Sequence, residues 1–369
     1  VVSGIGNVEH NSILVRYSND FSIWDLESVN HYKEQPDIFF TCHEFSYNRV
    51  AEAYEPYLAL IRQMFHKYGS GTLEEFMEEC DVYKLQRPVF ESYFETGFCQ
   101  RTEQILIDEV EYEQERMNNS IVTMIRKLSE ICPIVIVLNR FQLASKSTMQ
   151  LTNQLLHTKN KNIGIVLGVN DVQSIPEFVH EEWDAICESM DDRNMVFHIG
   201  NANKKKESDV LVYYSDYESE EGYRKLNNLV YFLDFDQADH HLSKIERRIK
   251  FDNFTISKKK YYQLLLLQIM VSILQRDIAK ALESCEDLEK LQDQEKEGSF
   301  YYNFWVATSY MYLGKLEEAM TFAKKAGECG VALDDDFLMF RAELLKAQIQ
   351  MSGWCNIFFC AQDIEISDK

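Results

Sequence analysis

Apolar and polar positions alternate along this chain in two textures. Ahead of residue 200, short continuous apolar runs alternate with segments of helical period. Beyond Leu226 only the helical period remains. The runs Asp37–Cys42, Pro133–Leu138, Ile163–Leu167 and Met195–Ile199 are rich in β-branched and aromatic residues. Each is bounded by polar or turn residues, as expected of strands buried on both faces of a parallel sheet. Between them, Asn48–Arg126, Ser147–His157 and Glu177–Met190 repeat apolar residues at helical spacing, for example Leu58, Ile61, Met64 and Phe65. Thr72 followed by Glu75 has the form of a capping box. At the start, Val1-Val2 reads as the end of a strand running into the loop Ser3–Gly6, and Asn11–Tyr17 opens a helix. Strands separated by helices imply right-handed crossovers and a parallel sheet. The fold class is therefore α/β plus all-α. The expected organisation is an α/β domain over 1–200, a linker with connecting helices over 201–250, and helical repeats over 251–369.

The helical part carries internal similarity. In Ala307, Tyr310, Gly314, Ala319, Ala323 and Ala326, small residues recur where two antiparallel helices must approach closely. The phrase Tyr312–Ala319 resembles the tetratricopeptide repeat. A weaker copy spans Tyr261–Leu291, with Ala281 in the place of Ala319, and a third spans Phe340–Cys360, with Gly353 in the place of Gly314. The Ala281–Ala319 and Gly314–Gly353 spacings exceed the roughly 34 residues usual for such repeats, and a generic helical bundle is the competing reading. The resemblance implies a concave face that takes a protein or peptide. Tyr302, Trp305 and Tyr310 are the residues expected to line it, although core packing would use the same aromatics.

One stretch of the α/β part carries the chemistry. Ile131–Ser145 resembles the Walker B region of the signalling P-loop ATPases called STAND proteins, which often carry tetratricopeptide repeats. Where they carry an aliphatic–Gln–Trp–Ala–Asp phrase, Phe141-Gln142-Leu143-Ala144 keeps the Gln and the Ala, and Leu151, Leu155 and Leu156 keep the helix that follows. The resemblance implies a nucleotide site, and here it is degenerate. Asn139 and Arg140 stand where carboxylates would orient Mg²⁺. The candidate Walker A loop is Ile5–Ser12; of the motif only Gly6 and Ser12, with Gly4 just before it, survive, while Asn11 replaces the phosphate-binding Lys. Asn170-Asp171 falls where related ATPases place a polar sensor, or forms a strand-ending turn. The expected reading is a non-catalytic pseudo-ATPase module of a cytoplasmic, bacterial signalling protein, with no catalytic residue and no cofactor. ATP and Mg²⁺ are expected only under the alternative, a nucleotide-binding signalling ATPase with a non-standard site in which Asp171 substitutes for the missing acid; a second rival holds a non-hydrolysed nucleotide or other small anion on the Gly4–Ser12 amides. An unrelated doubly wound fold is the third possibility.

Composition narrows the partners. The formal net charge is -22, which repels phosphate backbones and anionic lipid. The two short basic clusters, Lys204–Lys206 and Lys258–Lys260, read as solvated loops. Nine cysteines at irregular spacing, without a CxxC, read as reduced thiols. No apolar run spans a membrane. His240-His241 among Asp234, Asp236 and Asp239 reads as a solvated helix face, and the acidic, aromatic Tyr213–Glu221 as an exposed loop. A protein or peptide partner, no nucleic acid, no membrane and a homo-oligomer as an option are the resulting expectations. The chain does not begin with Met, so a fragment is expected, with an output domain beyond Lys369.

Overall fold

The computed structural model describes residues 12–17, 23, 27–46, 51–99, 110–158, 160–170, 175–192, 195–199, 220–251 and 255–366, with backbone alone from 354 onward. They divide into two compact units, Val1–His241 and Leu242–Lys369.

The first unit is built on five parallel strands, β1 (Ser12–Tyr17), β2 (Phe39–Glu44), β3 (Ile134–Asn139), β4 (Ile163–Asn170) and β5 (Val196–Ile199), in the order β2-β3-β4-β1-β5. The helices in chain order are α1 (Glu27–Lys33), α2 (Tyr57–Tyr68), α3 (Leu73–Glu79), α4 (Arg87–Thr96), α5 (Val110–Ile131), α6 (Lys146–His157), α7 (His180–Asp192), α8 (Glu220–Tyr231) and α9 (Phe235–Phe251). Strand β3 is buried along its whole length, as its unbroken apolar run requires. Its Val135 and Val137 pack with Ile23 and with Val29 and Tyr32 of α1. The β1-to-β2 connection runs across the sheet in the opposite direction to the β3-to-β4 and β4-to-β5 connections. Right-handed crossovers therefore put α1 on one face and α6 and α7 on the other.

Two expectations change here. Asn11–Tyr17 was expected to open a helix, yet Ser12–Tyr17 is a strand between β4 and β5. Its core, Ile13-Leu14-Val15, is β-branched or apolar, and two strands to pair with outweigh the weak helical pattern. Ser12 is thereby the first residue of β1 rather than the end of a phosphate loop, and Gly4, Gly6 and Asn11 lie outside the described residues. The contact boundary also falls at His241–Leu242, inside α9, so that α8 and the start of α9 belong to the sheet unit rather than to a linker. The capping box forms: Glu75 N–H donates to Thr72 Oγ1 at 3.2 Å, and Thr72 N–H to Glu75 Oε2 at 2.7 Å.

The second unit is all helical: α10 (Lys258–Leu274), α11 (Ile278–Glu289), α12 (Gly298–Tyr312), α13 (Leu316–Leu333) and α14 (Asp336–Ile366), each packed on the next. Ala281, Ala307, Ala319, Ala323 and Ala326 are all fully buried, as close helix approach demands. Gly314 turns the chain between α12 and α13 with φ 73°. The turn expected at Gly353 is absent, and α14 runs through it. A Cβ there would meet only Leu316 Cδ1, at an ordinary contact distance of 3.4 Å, so neither a turn nor crowding requires this glycine.

Candidate functional site

The parallel register brings the carboxyl ends of the strands together. Glu44 of β2 pairs with Asn139 of β3, Leu138 with Leu167, and Tyr17 of β1 with Asn170 of β4. Strands β1 and β4 are neighbours whose onward helices lie on opposite faces. The edge between them is thus a topological switch point, where open α/β sheets bind ligands.

Protein side chains fill that edge. The Tyr17 hydroxyl donates to Asn139 Oδ1 at 2.5 Å, and both residues are buried. They meet above Gly168, where a Cβ would lie 2.5 Å from Ile23 Cδ1, 2.9 Å from Asn139 Oδ1 and 3.4 Å from Tyr17 Cε1. Burial pushes the Tyr17 phenol above its ordinary value; Arg140 opposes this and Glu44 adds to it. Arg140 takes a left-handed conformation, φ 53°, and its guanidinium pairs with Glu44 at 3.4 Å. Both members of that pair are well exposed, so it adds little stability.

The residues after Arg140 form a short 3-10 turn, Phe141–Leu143. Gln142 is fully buried and brackets the end of β4, accepting from Asn170 N–H and donating to Asn170 C=O, each at 3.4 Å. The Gln of the resemblance phrase therefore acts on the backbone of β4. Ser145 then caps α6, accepting from Thr148 N–H. Of the expected site residues, Asn139 and Asn170 stand together at this edge, whereas Ser12 sits at the opposite, amino end of β1. Asp171 lies outside the described residues. The segment that follows β1, 18–26, reads Ser-Asn-Asp-Phe-Ser-Ile-Trp-Asp-Leu, with neither Lys nor Gly. Sequence reasoning left Tyr17, Glu44 and Gly168 out of the site; Gly164 and Gly168 within one apolar strand were the available signal for the last.

Two polar clusters flank the edge. Glu52 is buried, and burial first, then Glu55, pushes its carboxyl above the ordinary range; Arg224 approaches it at 3.4 Å, and Glu55 pairs with His43 at 3.5 Å. The second cluster is the corner between α8 and α9, where the fully buried Asp234 accepts from Ser147 N–H at 3.0 Å. His241, expected on a solvated face, is buried, and His240 packs on Phe178 at 4.6 Å between ring centroids. Among the described residues no group of three or more His, Cys, Asp or Glu side chains could hold a metal ion. Among them, too, no helix is long and apolar enough to cross a membrane.

In the helical unit the three expected groove residues part company. Trp305 is buried, edge-on to Phe304 at 5.1 Å and under the Arg341 guanidinium. Tyr302 and Tyr310 instead flank Phe322 of α13, at 6.4 and 5.7 Å. Trp305 is core, while the two tyrosines are half-buried on the α13 side.

Comparison with protein-family models, curated proteins and solved structures finds no match to this chain.

Proposed function

We propose that this chain is a non-catalytic regulatory or scaffolding module of a cytoplasmic signalling protein, a pseudo-ATPase sheet unit joined to a tetratricopeptide-like helical unit that recruits a protein or peptide. The observation that carries this reading is the hydrogen bond from Tyr17 to Asn139. Phosphoryl transfer needs a carboxylate there to orient Mg²⁺. An amide stands in its place, and its oxygen is taken by a buried phenol. The adjacent Arg140 would repel a metal ion, and the segment after β1 has two aspartates and no Lys to complement phosphate. For the helical unit, the buried alanines between successive helices and the Gly314 turn support the repeat reading.

One observation favours a second reading, a nucleotide-binding switch. The β1–β4 switch point is the place where a parallel sheet of this kind holds a ligand. Calorimetric titration of the purified chain with Mg-ATP, Mg-ADP and Mg-GTP separates the two. The pseudo-enzyme reading expects no heat of binding at about millimolar nucleotide. Binding at about micromolar concentration would replace it with the switch.

A further inference from the structure

The first turn of a helix leaves backbone N–H groups that its own residues cannot satisfy. In α6 Ser145 takes one of them, and two others are taken by a different part of the chain. Lys146 N–H donates to Gln237 Oε1 at 3.2 Å, and Ser147 N–H donates to Asp234 Oδ2 at 3.0 Å. Gln237 also donates from Nε2 to the Ala51 carbonyl at 3.2 Å, and the Lys146 ammonium pairs with Asp236. All three acceptor residues, Asp234, Asp236 and Gln237, belong to the corner where α8 ends and α9 begins. Leu233 makes that corner with φ 66°, a conformation a leucine adopts only under constraint from its surroundings.

The two sides of this junction differ in what they lead to. α6 is tied to the carboxyl edge of the sheet by one short stretch, Asn139–Ser145, in which Gln142 holds the backbone of Asn170. α9 starts in the sheet unit and continues past its boundary at His241. We propose that the Asp234–Gln237 corner is a latch that fastens α9 to the first turn of α6, and through it to the Gln142–Asn170 bracket, so that a change at the carboxyl edge is passed to the helix that leads out of the unit.

The latch is poised rather than maximally stable. Asp234 Oδ1 is buried and has no hydrogen-bond partner, so the carboxyl is desolvated while chiefly Ser147 offsets the cost. A contact made at such a cost can be released by a modest change nearby, as a switching element requires. The connection stands whether or not the edge binds nucleotide. Its failure in the experiment below therefore leaves the pseudo-enzyme reading to be judged by titration alone.

Amide hydrogen exchange of the full chain tests it, read at α9, α6 and, as the control for global opening, β4. Asp234→Ala is expected to speed exchange in the first turns of α6 and α9 by about tenfold or more while β4 stays as in the wild type. Gln237→Ala, which keeps the buried carboxylate, is expected to act in the same direction and serves where Asp234→Ala does not fold. Gln142→Ala, at the sheet edge, is expected to speed exchange at α9 in the wild-type background and to add nothing in the Asp234→Ala or Gln237→Ala background. Three results overturn the latch: unchanged α9 exchange in the corner variants, an equal rise at β4, or a Gln142→Ala effect that is the same with and without the corner contacts.

Discussion

Gly168 shows how one side chain's absence shapes the edge. Three buried side chains converge on it, Ile23, Asn139 and Tyr17, and Asn139 Oδ1 is pinned by the Tyr17 hydroxyl. Gly168→Ala should therefore lower stability by about 1–3 kcal/mol in urea unfolding, as overpacking does. Tyr17→Phe removes the donor and leaves the Asn139 amide oxygen buried without it, a loss of about 1–3 kcal/mol. An unchanged midpoint in either variant would mean that the edge relaxes freely. Asp234 makes a prediction in pH. Burial is the main cause that holds its carboxyl above the ordinary value, with the Ser147 hydrogen bonds opposing. The folded chain then binds that proton more tightly than the unfolded chain. The contribution is complete below the ordinary aspartate range and is lost as pH rises through the raised value. Asp234→Asn carries no such titration, so its stability relative to the wild type should be higher at about pH 7 than at about pH 4. At this scale the sequence revealed what ends an obvious strand, such as Asn139 and Arg140. It concealed Tyr17, because a partner on another strand is set by register, and register is not written in local pattern.

Elements with a strong period were legible: β3 and β4 as unbroken apolar runs, and the paired helices from α10 to α13 through their small residues. β1 was not. Its apolar core, Ile13-Leu14-Val15, is too short to oppose a helical reading by itself, and pairing with β4 and β5 on either side is what fixes the stretch as a strand. Gly353 failed for the complementary reason. A glycine can mark a turn, but it is also tolerated inside a helix, and α14 runs through this one. Gly314 is a turn, with open space around its Cβ position and positive φ. Gly314→Ala should cost about 1 kcal/mol from backbone conformation alone. Ala319→Leu, at a fully buried helix contact, should cost about 1–3 kcal/mol through overpacking. Thermal unfolding checks both: an unchanged midpoint for Ala319→Leu would mean that this helix contact relaxes freely.

At the scale of the whole molecule the division into a sheet unit and a helical unit was legible from the loss of strand-like runs. Its boundary was not, because α9 crosses it without a change of composition. The formal charge of -22 predicts a salt effect. Self-repulsion destabilises a compact acidic chain, so raising ionic strength from about 0.01 to 0.2 M should raise the unfolding temperature. A fall would mean that the surface ion pairs outweigh the net repulsion.

The strand order also governs how the chain comes off the ribosome. β1 is the earliest described strand, yet both of its neighbours are late: Ser12 pairs with Ile165 of β4, and Leu14 with Val196 of β5. At ordinary rates of synthesis its backbone waits on the order of ten seconds before either partner emerges. A short, arginine-bearing strand is well suited to that wait, since a longer apolar one would offer a nascent chain an edge on which to aggregate.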